Sequence, residues 1–177
     1  MYAPERVVTN DELSRMVDTN DEWIVSRTGI RERRIAAKGQ ATVDMSVRAA
    51  RTAIERAGLE ANEIDFVILA TSTPDYLAPP VSSILQDQLG ANKAGAMTLV
   101  AGCTGFMYGL ITASQFVQTG AYKNILVVGA ETLSYAIDWE DRNTCILFGD
   151  GAGGSEKRCG GKEKDNRFSV SGCRQAS

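Results

Sequence analysis

The chain has 177 residues, 44% of them hydrophobic and 23% charged, which suits a packed globule and excludes disorder as the default state. Its net charge of −3 gives no support to nucleic-acid binding, and no apolar run approaches the roughly 18 residues of a membrane span. Neither a secretion signal nor a transit segment opens it, so a soluble, cytoplasmic protein is expected.

Two helix starts come first. Thr9-Asn10-Asp11-Glu12 and Thr19-Asn20-Asp21-Glu22 both match the capping box, in which a hydroxyl and a Glu satisfy each other's backbone donors. The second predicts a helix through Trp23 and Ile24 that ends near Gly29, and the basic cluster Arg27, Arg31, Arg33, Arg34 begins on it. An amphipathic helix is predicted from about Thr42, with Val43, Val47, Ala50, Ile54 and Ala57 on one face and Gly58 as its stop.

The middle of the chain alternates strand and helix. Ile64 to Ala70 is a continuous apolar run, as in a parallel strand covered on both faces. Pro79 and Pro80 precede a helix carrying Val81, Ile84, Leu85 and Leu89 and closed by Gly90. Ala96 to Gly102 reads as a buried strand, and after Cys103 an apolar stretch at helical spacing runs to Gly120. That helix is apolar over most of its circumference, which predicts burial on both sides. Ile125 to Val128 is a further strand, and Thr144 to Phe148 is a candidate for another. This order predicts an α/β fold with a mostly parallel sheet and right-handed crossovers. After Gly153 the composition changes abruptly and neither period continues, so residues 154–177 are expected to form an aberrant, disordered tail.

Cys103 stands at a strand-to-helix turn, where unpaired N–H groups and the positive dipole end of the helix favour thiolate over thiol. The chain has no histidine, so the helix end is the activating group on offer. The same position also suits a cysteine that is merely a small buried hydrophobe. The other three cysteines, Cys145, Cys159 and Cys173, form no CxxC pair, which argues against a disulfide framework or a zinc site and for free thiols in a reducing setting.

Over roughly residues 2–153 the sequence resembles the N-terminal half of the β-ketoacyl-acyl-carrier-protein synthase III family, initiating condensing enzymes of bacterial-type fatty acid synthesis. The resemblance rests on Val17-Asp18-Thr19-Asn20-Asp21-Glu22-Trp23-Ile24, Arg27-Thr28-Gly29-Ile30-Arg31-Glu32-Arg33-Arg34, Cys103-Thr104-Gly105-Phe106 and Phe148-Gly149-Asp150-Gly151-Ala152-Gly153. It implies a thiolase-like layered α/β/α fold, of which residues 1–153 would be one half, with a buried nucleophile helix behind Cys103. It implies further that Trp23 and Arg142 sandwich the adenine of coenzyme A, that Thr19, Arg27 and Thr28 bind the coenzyme near the tunnel mouth, and that Phe148 walls the acyl pocket. Without the family, Trp23 reads equally as a core anchor and Arg142 as a solvated loop charge.

The implied reaction transfers an acyl group from acyl-CoA, a substrate and not a bound cofactor, to Cys103 and then condenses it with malonyl-acyl-carrier-protein in a homodimer. No metal, nucleic acid or membrane enters it. Where family members often carry a bulky aromatic in the loop that reaches the neighbouring subunit's acyl pocket, this chain has Ala78. The family's decarboxylating His and Asn have no counterpart here, which points to an incomplete, inactive fragment, aggregated or molten on its own. Alternatives are another thiolase-fold acyltransferase, of the hydroxymethylglutaryl-CoA synthase or polyketide-priming type, and a non-enzymatic truncated product.

Overall fold

The computed structural model of the chain describes residues 1–158. A four-stranded sheet forms its centre, in the order β4 (Gly95–Leu99), β3 (Phe66–Ala70), β5 (Asn124–Thr132), β6 (Asp150–Arg158). The pairs β3–β4 and β3–β5 are parallel, and β5–β6 is antiparallel. Side chains alternate across the sheet. Val67, Leu69, Leu126 and Val128 pack under α3 (Thr42–Ala57) and α4 (Val81–Leu89) on one face. Ile68, Ile125 and Val127 pack against Ala113 and Val117 of α5 (Gly105–Gln118) on the other. The result is the three-layered α/β/α arrangement expected.

Helix ends follow local chemistry. The short α1 (Asn10–Leu13) is capped by the Thr9 hydroxyl, which accepts from the Glu12 N–H at 3.2 Å. In α2 (Asp21–Thr28) the cap is one residue later than the sequence predicts: Asn20 Oδ1, and not Thr19, accepts from the Trp23 N–H at 2.8 Å. Gly29, Gly58 and Gly90 close α2, α3 and α4 in the left-handed conformation.

Four expectations need correction. Thr144 to Phe148 forms turns and not a strand, because Asp141 captures the local donors. Its carbonyl accepts from the Thr144 and Cys145 N–H groups, and its carboxylate from the Asn143 N–H and Thr144 hydroxyl. The strand ahead of Cys103 is half-buried throughout, since β4 is the sheet's edge. Helix α5 is buried on one side only: Gly105, Gly109, Ala113 and Val117 face the sheet, while Met107 and Ile111 are 56% and 55% exposed. Finally, β6 continues to Arg158, so the composition change at Gly153 falls inside a strand. Backbone pairing with β5 tolerates this, at the cost of burying Lys157 opposite Ile125, where burial lowers the ammonium pKa and Glu156 opposes the shift. The rest of the expected tail, with Cys159 and Cys173, lies outside the described residues.

The basic cluster supplies an element that periodicity does not announce. Glu32–Ile35 forms β2, antiparallel to β1 (Arg6–Thr9). This ribbon, α1, α2 and the 137–146 segment enclose a second small core of Val8, Leu13, Ile24, Cys145 and Ile146.

Candidate active site

Cys103 lies in a single 3-10 turn, Gly102–Thr104, between β4 and α5. Gly102 takes φ 57°, a left-handed conformation that L side chains rarely adopt, and so turns the chain sharply out of the strand. The Thr104 hydroxyl donates to the Ala101 carbonyl at 2.9 Å and steadies the turn. Helix α5 then lies close on the sheet: a Cβ at Gly109 would meet Val127 Cγ1 at 3.0 Å. These contacts hold Cys103 at the C-terminal ends of the parallel strands, where ligands of open α/β sheets bind.

Cys103 is exposed and faces an open cavity of about 450 Å³, lined among others by Ala70, Phe106, Gly129, Glu131 and Asp150. Two carboxylates of this lining are fixed. Glu131 accepts from the Ser72 N–H at 2.8 Å and the Thr73 hydroxyl at 2.9 Å. Asp150 accepts from the Ala36 N–H at 2.6 Å and from the N–H and hydroxyl of Ser134. Glu131 escaped the sequence reading, its one signal being an acidic residue closing an apolar strand. Cys145 contrasts with Cys103: it is buried, and burial pushes its thiol pKa up, with Asp141 adding to the rise and Arg33 opposing it.

A second cluster gathers three of the predicted residues. The Trp23 ring meets the Arg27 guanidinium at 4.3 Å and the Arg142 guanidinium at 5.0 Å from its centroid, both within cation–π range. Arg142 is tethered by donation to the Asp18 carbonyl at 3.0 Å. Trp23 also packs against the small core around Ile24 and Cys145, as its reading as a core anchor expects. Thr28 sits beside this cluster, with its hydroxyl donating to the Ile24 carbonyl and accepting from the Ile30 N–H. The Thr19 hydroxyl is buried with no hydrogen-bond partner. None of these residues, nor Phe148, lines the Cys103 cavity. Among the described residues, no group of three or more His, Cys, Asp or Glu is placed to hold a metal ion.

Comparison with known proteins gives a consistent pattern. The family model for 3-oxoacyl-[acyl-carrier-protein] synthase III matches residues 97–165. The β-ketoacyl-[acyl-carrier-protein] synthase III of Oceanobacillus iheyensis is 60% identical over 152 residues, 86% of this chain and 49% of the relative. The crystal structure of the 3-oxoacyl-[acyl-carrier-protein] synthase III from Aquifex aeolicus is 48% identical with a TM-score of 0.85, over 88% of this chain and 50% of that one. The priming β-ketosynthase from the R1128 polyketide biosynthetic pathway is 42% identical with the same TM-score, over 88% and 46%. The chain spans about half the length of the curated relatives it matches.

Proposed function

Because the chain belongs to the β-ketoacyl-[acyl-carrier-protein] synthase III family, we propose that it carries the acyl-accepting half of the reaction that starts fatty acid synthesis, with acyl-CoA as donor and Cys103 as acceptor. One observation carries this reading. An exposed cysteine opens onto a cavity at the strand ends, while a tryptophan and two arginines stand together elsewhere as a flat, cationic perch for a nucleotide base.

In the proposed step the Cys103 sulfur attacks the thioester carbonyl of acyl-CoA. The carbon–sulfur bond to the coenzyme breaks, and CoA leaves as thiolate and takes up a proton. The backbone N–H of Cys103, in the Gly102–Thr104 turn, holds the tetrahedral oxyanion. Trp23 and Arg142 bind the adenine between them, with Arg27, Thr28 and Thr19 alongside. Two van der Waals spacings of about 3.5 Å mean that an intervening base needs about 7 Å, so Arg142 withdraws from its 5.0 Å position on binding.

Condensation with malonyl-acyl-carrier-protein, with loss of CO₂, completes the proposed reaction. It draws on decarboxylating groups this histidine-free chain does not supply. The proposed setting is the cytoplasm, and the proposed assembly a homodimer that uses the β4 edge and the outer face of α5. A polyketide-priming role is the second reading, favoured by the R1128 relative.

The test is the acyl-transfer burst. Mixing the chain with acetyl-CoA should release one equivalent of CoA per chain and then stop, with the acetyl group on the peptide that contains Cys103. Absence of a burst in folded protein, or a burst undiminished by Cys103→Ala, would contradict the proposal.

A further inference from the structure

We propose that Arg33 is a positioning residue, which acts through Asn10 and the Ile146 carbonyl to hold the two walls of the Trp23–Arg142 clamp in register. The proposal deepens the acyl-CoA reading and rests on it for the identity of the ligand.

Arg33 points inward from β2 and is 5% exposed. Its Nη1 donates to the Val8 carbonyl of β1 at 3.1 Å, and its Nη2 to Asn10 Oδ1 at 2.8 Å and the Ile146 carbonyl at 3.1 Å. Asn10, 1% exposed, passes the connection on. Its amide nitrogen donates to Asp21 Oδ1 at 2.7 Å and to the Ile30 carbonyl at 2.8 Å. Helix α2 is therefore gripped at its first residue and just beyond its last. Trp23 lies two residues after Asp21, and Arg142 lies four before Ile146. Both walls of the clamp hang from one guanidinium.

Stability alone does not account for this arrangement. Among the described residues the guanidinium donates to amide and carbonyl oxygens and to no carboxylate, its Nε is buried without a partner, and burial lowers its pKa, with Cys145 opposing the shift. A desolvated charge held this way is weak evidence of stabilisation, since an apolar side chain of similar volume often does as well. What an apolar side chain cannot do is bind three acceptors on three segments in fixed directions. Lys carries its three donors on one nitrogen and lacks the planar fork that does so.

The test uses Arg33→Lys and Asn10→Ala in the chain with Trp139→Phe, which leaves Trp23 as its one tryptophan. CoA and 4′-phosphopantetheine, which lacks the adenosine, are titrated against each variant. Arg33→Lys should weaken CoA about tenfold and phosphopantetheine by less than about twofold. Equal weakening of both ligands, or of neither, would overturn the proposal. A readout without ligand accompanies it. Arg142→Ala should make Trp23 more accessible to acrylamide in the parent but leave it unchanged in the Arg33→Lys background, where the clamp is already out of register. The same increase in both backgrounds would also overturn the proposal. If Arg33→Lys does not fold, Asn10→Ala is read by the same criteria, since it cuts only the link to α2. A parent that fails to bind CoA would sink the acyl-CoA reading, and the acrylamide cycle would still decide whether Arg33 positions the clamp.

Discussion

Trp23→Ala should raise the KM for acetyl-CoA in Cys103 acylation by between about fivefold and a hundredfold, with the rate at saturation within about twofold. The range follows from the roughly 1–3 kcal/mol that stacking on an aromatic ring contributes to binding a base, at 1.4 kcal/mol per factor of ten. In the proposed site the adenine would lie away from the reacting carbonyl, so its stacking would be the same in ground and transition states, and losing it would move KM without moving kcat. Two side chains lose their platform as well, since Arg27 and Arg142 both rest on this ring. Trp23 also packs on the small core, so Trp23→Phe is the control. It keeps a stacking face and should recover most of the affinity. An unchanged KM in folded Trp23→Ala would return the residue to a purely structural role.

The second large effect concerns association. On the outer face of α5, Met107, Tyr108 and Ile111 are each more than half exposed, and Leu77 in the loop before α4 is 90% exposed. Among the described residues β4 is a terminal strand of the sheet with one paired edge, and an open edge is the usual template for strand addition. Covering about 1,000 Å² of apolar surface at about 25 cal/mol per Å² is worth roughly 25 kcal/mol gross, enough to survive the entropic cost of association. The chain should therefore elute from gel filtration well above its monomer size. Met107→Lys with Ile111→Lys should bring it back to the monomer with an unchanged circular dichroism spectrum, because neither side chain is in the core. A monomeric parent at high concentration would show that this face needs no cover.

What could be read in advance was what local chemistry decides. The glycine stops of α2, α3 and α4 were legible because a left-handed cap is a property of one residue. The apolar runs of β3 and β5 were legible because both faces are covered. Burial of α5 and β4 was misjudged because an apolar helix or strand does not reveal whether the layer that covers it lies in the same chain. The β1–β2 ribbon was hidden by its charges, since Arg33 turns a guanidinium into the core where the pattern predicts an apolar side chain. Thr144 to Phe148 has strand-like composition, but the Asp141 turn overrides it. Trp23 and Arg142 are far apart in sequence, and no local period can pair them. Only the resemblance to a family did so, and the 5.0 Å contact brings the two together in the structure.

The central claim is that the Trp23–Arg142 clamp and the Cys103 cavity are the two ends of one acyl-CoA site, and a crystal structure of the chain with CoA tests it most directly. The account predicts the adenine between Trp23 and a withdrawn Arg142, with the thiol end directed to the cavity at Cys103. CoA bound elsewhere, for example in the groove lined by Arg6, Lys38, Arg48 and Arg51, with Arg142 still seated against Trp23, would contradict it.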